Sequence, residues 1–239
     1  MFNTNNRSID TRSVVFNLIA INVLLFLASQ MIGSLNDMLS LHYIFNTHDF
    51  IKRVDPTANS TFQPFQLVTH MFMHGNLGHI FSNMFALFMF GSILERFWGG
   101  QRFLIFYLST GFGAVVLHML VQVYLVYSAT GTADPVLSAL ELHPEIVSTY
   151  FSNTVGASGA VFGILVAFGM LFPNTELMLM FFPVPIKAKY FVSMYVVWEI
   201  YRGISMSNGD NVAHFAHLGG ALFGYILVKI WNKNRTTLY

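Results

Sequence analysis

The sequence predicts an all-α fold, a bundle of six membrane-spanning helices, and three observations predict it. Of 239 residues, 54% are hydrophobic and only 10% charged, whereas a soluble domain carries about a quarter charged residues. Apolar stretches repeatedly reach the roughly 20 residues that a helix needs to cross hydrocarbon. The polar side chains inside those stretches fall into a few groups, which suits function better than random interruption. The net charge of +1 comes without a basic run, so no nucleic-acid partner is expected. Cysteine is absent, which excludes disulfides, thiol catalysis and thiolate metal sites.

The first span is read at 13–34. Arg7 and Arg12 precede it as in a signal peptide, but its apolar run continues through Met31-Ile32-Gly33, longer than a signal core. A long connector, 35–66, carries His42, Phe45, Phe50, Lys52, Arg53 and Phe62 and is expected to have structure of its own. The second span, 67–94, holds His70, His74, His79 and Asn83; the third, 102–127, holds His118. An acidic connector with Asp134, Glu141 and Glu145 leads to the fourth span, 155–173, which opens Gly156-Ala157-Ser158-Gly159. The apolar segment 181–189 is broken by Pro183 and Pro185 and is expected at the interface. The fifth span, 189–206, contains Glu199 within a turn of Arg202, a spacing that predicts pairing or snorkelling. The sixth, 213–231, opens Ala213-His214-Phe215-Ala216-His217.

Cations set the orientation, because cytoplasmic segments retain Lys and Arg. With the N-terminus inside, Arg7, Arg12, Arg96, Arg102, Lys187, Lys189, Lys229, Lys233 and Arg235 fall inside and Lys52, Arg53 and Arg202 outside. The expected organisation is a cytoplasmic segment 1–12, a membrane domain 13–232 and a cytoplasmic tail 233–239.

Depth then relates the polar groups. At about 1.5 Å per residue, Asn83, His79, Ser158 and His217 lie roughly 20, 26, 24 and 24 Å from the inner edge, in one layer beneath the outer face. Gly159 and Gly163 on the fourth span, with Gly220 and Gly224 on the sixth, form small-xxx-small pairs that let backbones approach. Gly159 facing Gly220 would bring Ser158 to His217. A serine hydroxyl becomes a nucleophile when a base takes its proton, and histidine is the usual base near neutral pH. The Ser158 N–H opens a helix, and His79 and Asn83 share a helical face, so all three can point donors at one oxyanion. Taken singly, each element has a plainer reading: packing for the glycines and serine, helix-end hydrogen bonding for His217, bridging between helices for His79 with Asn83. His70, His74 and His214 read as structural or interfacial and His118 as packed. The common depth favours chemistry.

These residues resemble the rhomboid protease family. Gly156-Ala157-Ser158-Gly159 is similar to its Gly-x-Ser-Gly nucleophile motif, and Ala216-His217 with Gly220 and Gly224 to its base motif. His74, His79 and Asn83 match its second-span pattern, and Glu95-Arg96-Phe97-Trp98-Gly99 its turn after that span. The resemblance implies a six-span rhomboid-like bundle, an intramembrane serine endopeptidase with a Ser158–His217 dyad and an acyl-enzyme. It implies single-span transmembrane substrates cut near their outer ends, entering between the second and fifth spans beneath a loop before the sixth. Gly156, Gly159, Phe162, His74, Gly220 and Gly224 would support the site. Two positions depart from the family pattern. Gln66 stands where many members have arginine, which puts stabilisation of the first connector in doubt. Phe162 stands where many have tyrosine, and its ring is expected to pack on His217.

No Asp or Glu is expected to orient His217, and neither a metal nor any cofactor is expected. The alternatives are an inactive rhomboid-like helix-binding protein and a membrane metal protein built on His70, His74, His79, His214 and His217; for the latter no adjacent carboxylate is expected. The expected location is the lipid bilayer of a bacterial cytoplasmic membrane, with the site opening to the outer side.

Overall fold

The structure is a computed structural model that describes residues 13–45, 61–151, 153–179, 182–205 and 211–232. The terminal segments 1–12 and 233–239, Phe50, Lys52 and Arg53 of the first connector, and the loop before the last helix lie outside these residues.

Helix α1 (Val14–Met31) buries Val15, Leu18, Asn22, Phe26 and Ser29, a single face at spacings of three and four. Its N-terminus is closed from a distance. The Glu95 carboxylate accepts from the backbone N–H of Val14 (2.6 Å) and Val15 (3.0 Å) and from the Ser13 hydroxyl (2.8 Å). A negative group there satisfies orphan donors and meets the positive end of the helix dipole. Helix α2 (Gly33–Leu39) comes next. The first connector then returns through α3 (Gln66–Thr69) and one 3₁₀ turn, His70–Phe72.

The second long helix, α4 (Leu77–Trp98), starts ten residues later than expected. Residues 67–73 are mostly apolar, but Gly75-Asn76 separates them from the helix proper. Asn76 is extended and caps α4 by accepting from His79 N–H at 2.9 Å. A π turn at Leu87–Gly91 interrupts α4, where Gly91 sits so close to Leu87, Phe103 and Val15 that a side chain would crowd all three. Gly99, at φ 82°, ends α4 and turns the chain into α5 (Gly100–Thr130).

At 31 residues, α5 is about 46 Å long, well beyond the hydrocarbon thickness. Its far end carries a separate small core of Val126, Tyr43, Leu140, Ile146 and Tyr150, assembled with α6 (Leu137–Glu141) and α7 (Pro144–Phe151). The acidic connector is therefore a folded layer. Tyr43 donates to the Ala133 carbonyl (2.8 Å) and Gln122 to the Thr149 carbonyl (3.1 Å).

Helix α8 (Ser158–Leu171) lies at the centre, with every residue from Gly159 to Gly169 buried. Beyond it lies a two-stranded antiparallel sheet, β1 (Glu176–Leu179) with β2 (Phe182–Lys187), in register Glu176↔Lys187 and Leu177↔Ile186. This hairpin is an exception to the all-α fold class, in a segment expected only to be broken by its prolines and to lie at the interface. Two strands have only edges, where prolines that cannot donate to a ladder are tolerated. Helix α9 (Ala188–Ser205) and helix α10 (Asn211–Asn232) complete the chain.

Among the described residues, four helices are long and apolar enough to cross a membrane: α1, α4, α5 and Ala213–Asn232 of α10. The six-span expectation is met only to that extent. Helix α8 has 14 residues, and α9 carries Lys189, Glu199 and Arg202 within its length.

Candidate functional site

The site is made by backbones in contact. A Cβ built on Gly220 would lie 1.9 Å from the Gly159 carbonyl oxygen, and one on Gly224 would lie 2.8 Å from Gly163 Cα. Each glycine of this α8 pair is also pressed from α5: a Cβ on Gly159 would meet Ala114 at 2.3 Å, and one on Gly163 would meet Thr110 at 2.5 Å. Only hydrogen fits between these three helices. Since Ser158 precedes Gly159 and His217 lies one turn before Gly220, the approach puts Ser158 Oγ 2.8 Å from His217 Nε2.

The imidazole is fixed on its face. Phe162, one turn along α8 from Ser158, stacks on His217 with ring centroids 4.4 Å apart and planes 7° from parallel. Tyr195 of α9 packs on the same phenyl ring at 4.8 Å.

Behind the ring the structure overturns two expectations. Glu199 reaches His217, its Oε2 standing 3.0 Å from His217 Nδ1 and 2.6 Å from His214 Nδ1. The residue is only 3% exposed. Arg202 is instead placed over the Trp198 ring, 5.9 Å from its centroid. Pairing at i, i+3 loses because Glu199 belongs to the face of α9 that meets α10, with Gly203 the next buried residue. A carboxylate is thus adjacent to the histidine pair, contrary to the sequence reading.

Helix α8 begins at Ser158, and its N-cap Ala157 offers no side-chain acceptor. The first helical hydrogen bond from this end runs from Val161 N–H to the Ala157 carbonyl, so the N–H groups of Ser158 and Gly159 keep the freedom of a helix start. Gly156 supplies the turn into it. Its φ is +127°, in the region glycine favours, and its N–H donates to the His70 carbonyl at 2.9 Å. A Cβ there would lie 2.8 Å from His79 Cε1 and Nε2, so His79 from α4 rests against the turn that leads into Ser158. Asn83, buried, donates to the His79 carbonyl at 2.9 Å. One of its two N–H groups is therefore engaged with its own helix.

Of the other histidines, His70 has its Nδ1 at 2.9 Å from the Gln66 carbonyl. His118 places Nε2 at 2.8 Å from Thr154 Oγ1, and Thr154 pairs with Leu41 as an isolated bridge. His74 packs edge-on to His79 at 5.1 Å; it is buried, and neither ring nitrogen has a hydrogen-bond partner among the described residues. A cavity of about 40 Å³ adjoins Ser158 and is lined by His70, His118, Thr154, Gly156 and His217, room for one or two waters with polar partners.

The doubt over Gln66 is also answered. Its side chain, 1% exposed, accepts from the N–H of His42 (3.4 Å) and Gln63 (3.0 Å) and donates to the carbonyls of Met38 (3.1 Å) and Thr61 (3.3 Å). A neutral amide, both donor and acceptor, fastens the two ends of the connector.

Among the described residues, the one grouping of three that could converge on a cation is Glu199, His214 and His217. It leaves out His70, His74 and His79, so the five-histidine metal reading is not the arrangement found. Its separations of 2.6 and 3.0 Å are hydrogen-bond lengths.

The chain is similar to known proteins. Residues 61–233 match the Rhomboid domain model. The chain is 33% identical to RHOMBOID-like protein 12, mitochondrial, of Arabidopsis thaliana over 171 residues, covering 71% of this chain and 47% of that protein. It is 28% identical to Rhomboid protein 1, mitochondrial, of Saccharomyces cerevisiae over 173 residues, 71% of this chain and 43% of that one. It is 29% identical to the human Presenilin-associated rhomboid-like protein, mitochondrial, over 257 residues, 97% of this chain and 55% of that one. The chain spans about half the length of the curated relatives it matches. These relatives carry organellar names and do not support the bacterial cytoplasmic membrane expected from sequence. An integral membrane protein with these motifs, matched over most of its length by that domain, belongs to the rhomboid family.

Proposed function

We propose that this chain is an intramembrane serine endopeptidase that cuts single-span transmembrane substrates near their outer ends. Its membrane domain is 13–232, with six spans formed by α1, α4, α5, α8, α9 and α10 and both termini on the cation-rich side. The observation that carries the reading is the 2.8 Å contact between Ser158 Oγ and His217 Nε2 at the start of a buried helix.

His217 takes the hydroxyl proton as Ser158 attacks the substrate carbonyl, then gives it to the leaving amine as the acyl-enzyme forms. The tetrahedral oxyanion is held by the Ser158 N–H at the positive helix end, with His79 and Asn83 as side-chain donors, and loss of one such donor typically costs about 100-fold to 1000-fold in rate. For Asn83 this uses the N–H not engaged by His79. Water from the cavity beside Ser158 hydrolyses the ester. Gly156, Gly159, Gly220 and Gly224 set the approach of the helices, Phe162 holds the imidazole, and His74 supports His79. A substrate helix must unwind to expose its scissile carbonyl, which favours Gly, Pro or Ser near the cut.

The test is a fluorophosphonate probe on the protein in proteoliposomes, with a panel of single-span helices analysed by mass spectrometry. Wild type is labelled at Ser158 and releases defined fragments, while Ser158→Ala and His217→Ala do neither. Robust labelling or cleavage by Ser158→Ala would refute the proposal.

A further inference from the structure

Glu199 is a buried carboxylate in the middle of α9, and a charge withdrawn from water needs partners. It has two, both imidazole Nδ1 atoms and both on the same oxygen, at 2.6 Å from His214 and 3.0 Å from His217. An ionised carboxylate accepts and never donates. Both contacts then require Nδ1–H. A neutral His217 protonated at Nδ1 has its lone pair at Nε2, the atom 2.8 Å from Ser158 Oγ. The opposite tautomer would present Nε2–H to the serine and could not take its proton. The constraints on His217 are therefore divided: Phe162 fixes the plane of the ring, and Glu199 fixes which nitrogen carries the proton.

We propose that Glu199 is a positioning residue for the proteolytic reaction, holding His217 in the Nδ1–H tautomer and stabilising the imidazolium while His217 carries the Ser158 proton. The centre is then a Ser158–His217–Glu199 triad drawn from three helices, α8, α10 and α9. His214 is the second donor that keeps the shared oxygen aimed. The proton moves from Ser158 Oγ to His217 Nε2 and then to the leaving amine, and Glu199 stays ionised throughout. This inference rests on the protease reading above.

The experiment measures the maximal labelling rate, kinact, and the half-saturating concentration, KI, of an alkyl fluorophosphonate on full-length protein in proteoliposomes. Glu199→Gln keeps the shape and removes the charge. The expected result is a fall in kinact of about 100-fold to 10,000-fold with KI unchanged, the upper figure being the cost of neutralising the triad carboxylate of a serine protease. Glu199→Asp, which keeps the charge one methylene short, is expected to recover part of kinact. A helix-packing role alone would move KI and thermal stability and would gain nothing from the charge. Wild-type kinact in Glu199→Gln overturns the proposal, and if that variant does not fold, an Nε2–H tautomer of His217 in the wild-type protein, read by ¹⁵N NMR of labelled histidine, does so instead. Chelation with EDTA is expected to leave wild-type labelling unchanged, and its loss would replace the carboxylate role by a bound cation. Absence of wild-type labelling at Ser158 would instead bring down the protease reading itself.

Discussion

Replacing Gly220 by alanine tests whether close backbone packing is what makes the site. The added Cβ would lie 1.9 Å from the Gly159 carbonyl oxygen, and neither this atom nor its helix can rotate away as a flexible side chain would. Helices α8 and α10 must part by about 1.5 Å to restore an ordinary contact. His217 is one turn from Gly220 and moves with it, so the 2.8 Å contact to Ser158 opens to roughly 4.3 Å, past the limit of a hydrogen bond. A misplacement of this size can cost about 100-fold in rate, and overpacking costs about 1–3 kcal/mol in stability. Fluorophosphonate labelling in proteoliposomes, beside a thermal unfolding scan, reads both. Gly33→Ala is the control, because nothing lies within 4 Å of the added atom. Labelling of Gly220→Ala at the wild-type rate would refute the packing argument.

Glu95→Ala removes the acceptor for two backbone N–H groups and the Ser13 hydroxyl, and is expected to lower stability by about 1–2 kcal/mol, as loss of a helix cap does, with the labelling rate of the folded protein preserved; a denaturation series in mixed micelles measures it. Gln66→Leu strands the backbone groups of Met38, His42, Thr61 and Gln63 that its amide now meets, each worth about 1 kcal/mol or more when left buried and unmet, and limited proteolysis of the first connector should become faster at temperatures that spare wild type.

The pairing of α8 with α10 is legible in the sequence because glycine spacing and helix rise are local properties. Ser158, His217 and the stacked Phe162 each sit within one turn of a glycine that fixes depth. The start of α4 is hidden, because the mostly apolar run from Leu67 to Met73 masks the break that Gly75 and the cap Asn76 impose. The sheet is hidden too, since Pro183 and Pro185 argue against any strand except an edge. Spacing along one helix points Glu199 to Arg202, whereas contact between helices leaves no mark on a single helix. A signal for the true partner nonetheless exists. Helices joined by a short connector run antiparallel, and Glu199 lies six residues before the end of α9 while His217 lies six after the start of α10. The same count that levels Ser158 with His217 levels the carboxylate with both.

Helix α9 turns Tyr190, Met194, Val197, Trp198, Tyr201 and Ile204 outwards and buries only Ala188, Glu199 and Gly203. Were α9 set in hydrocarbon as proposed, those outward side chains would exert no pull towards the bundle, since lipid tails are as apolar as the protein interior. The carboxylate clasp on two imidazoles is thus a mechanical fastening as well as an electrostatic one. Levering α9 aside, by a foreign helix or a change in bilayer thickness, would unlatch His217 from the Glu199 carboxylate in the same movement.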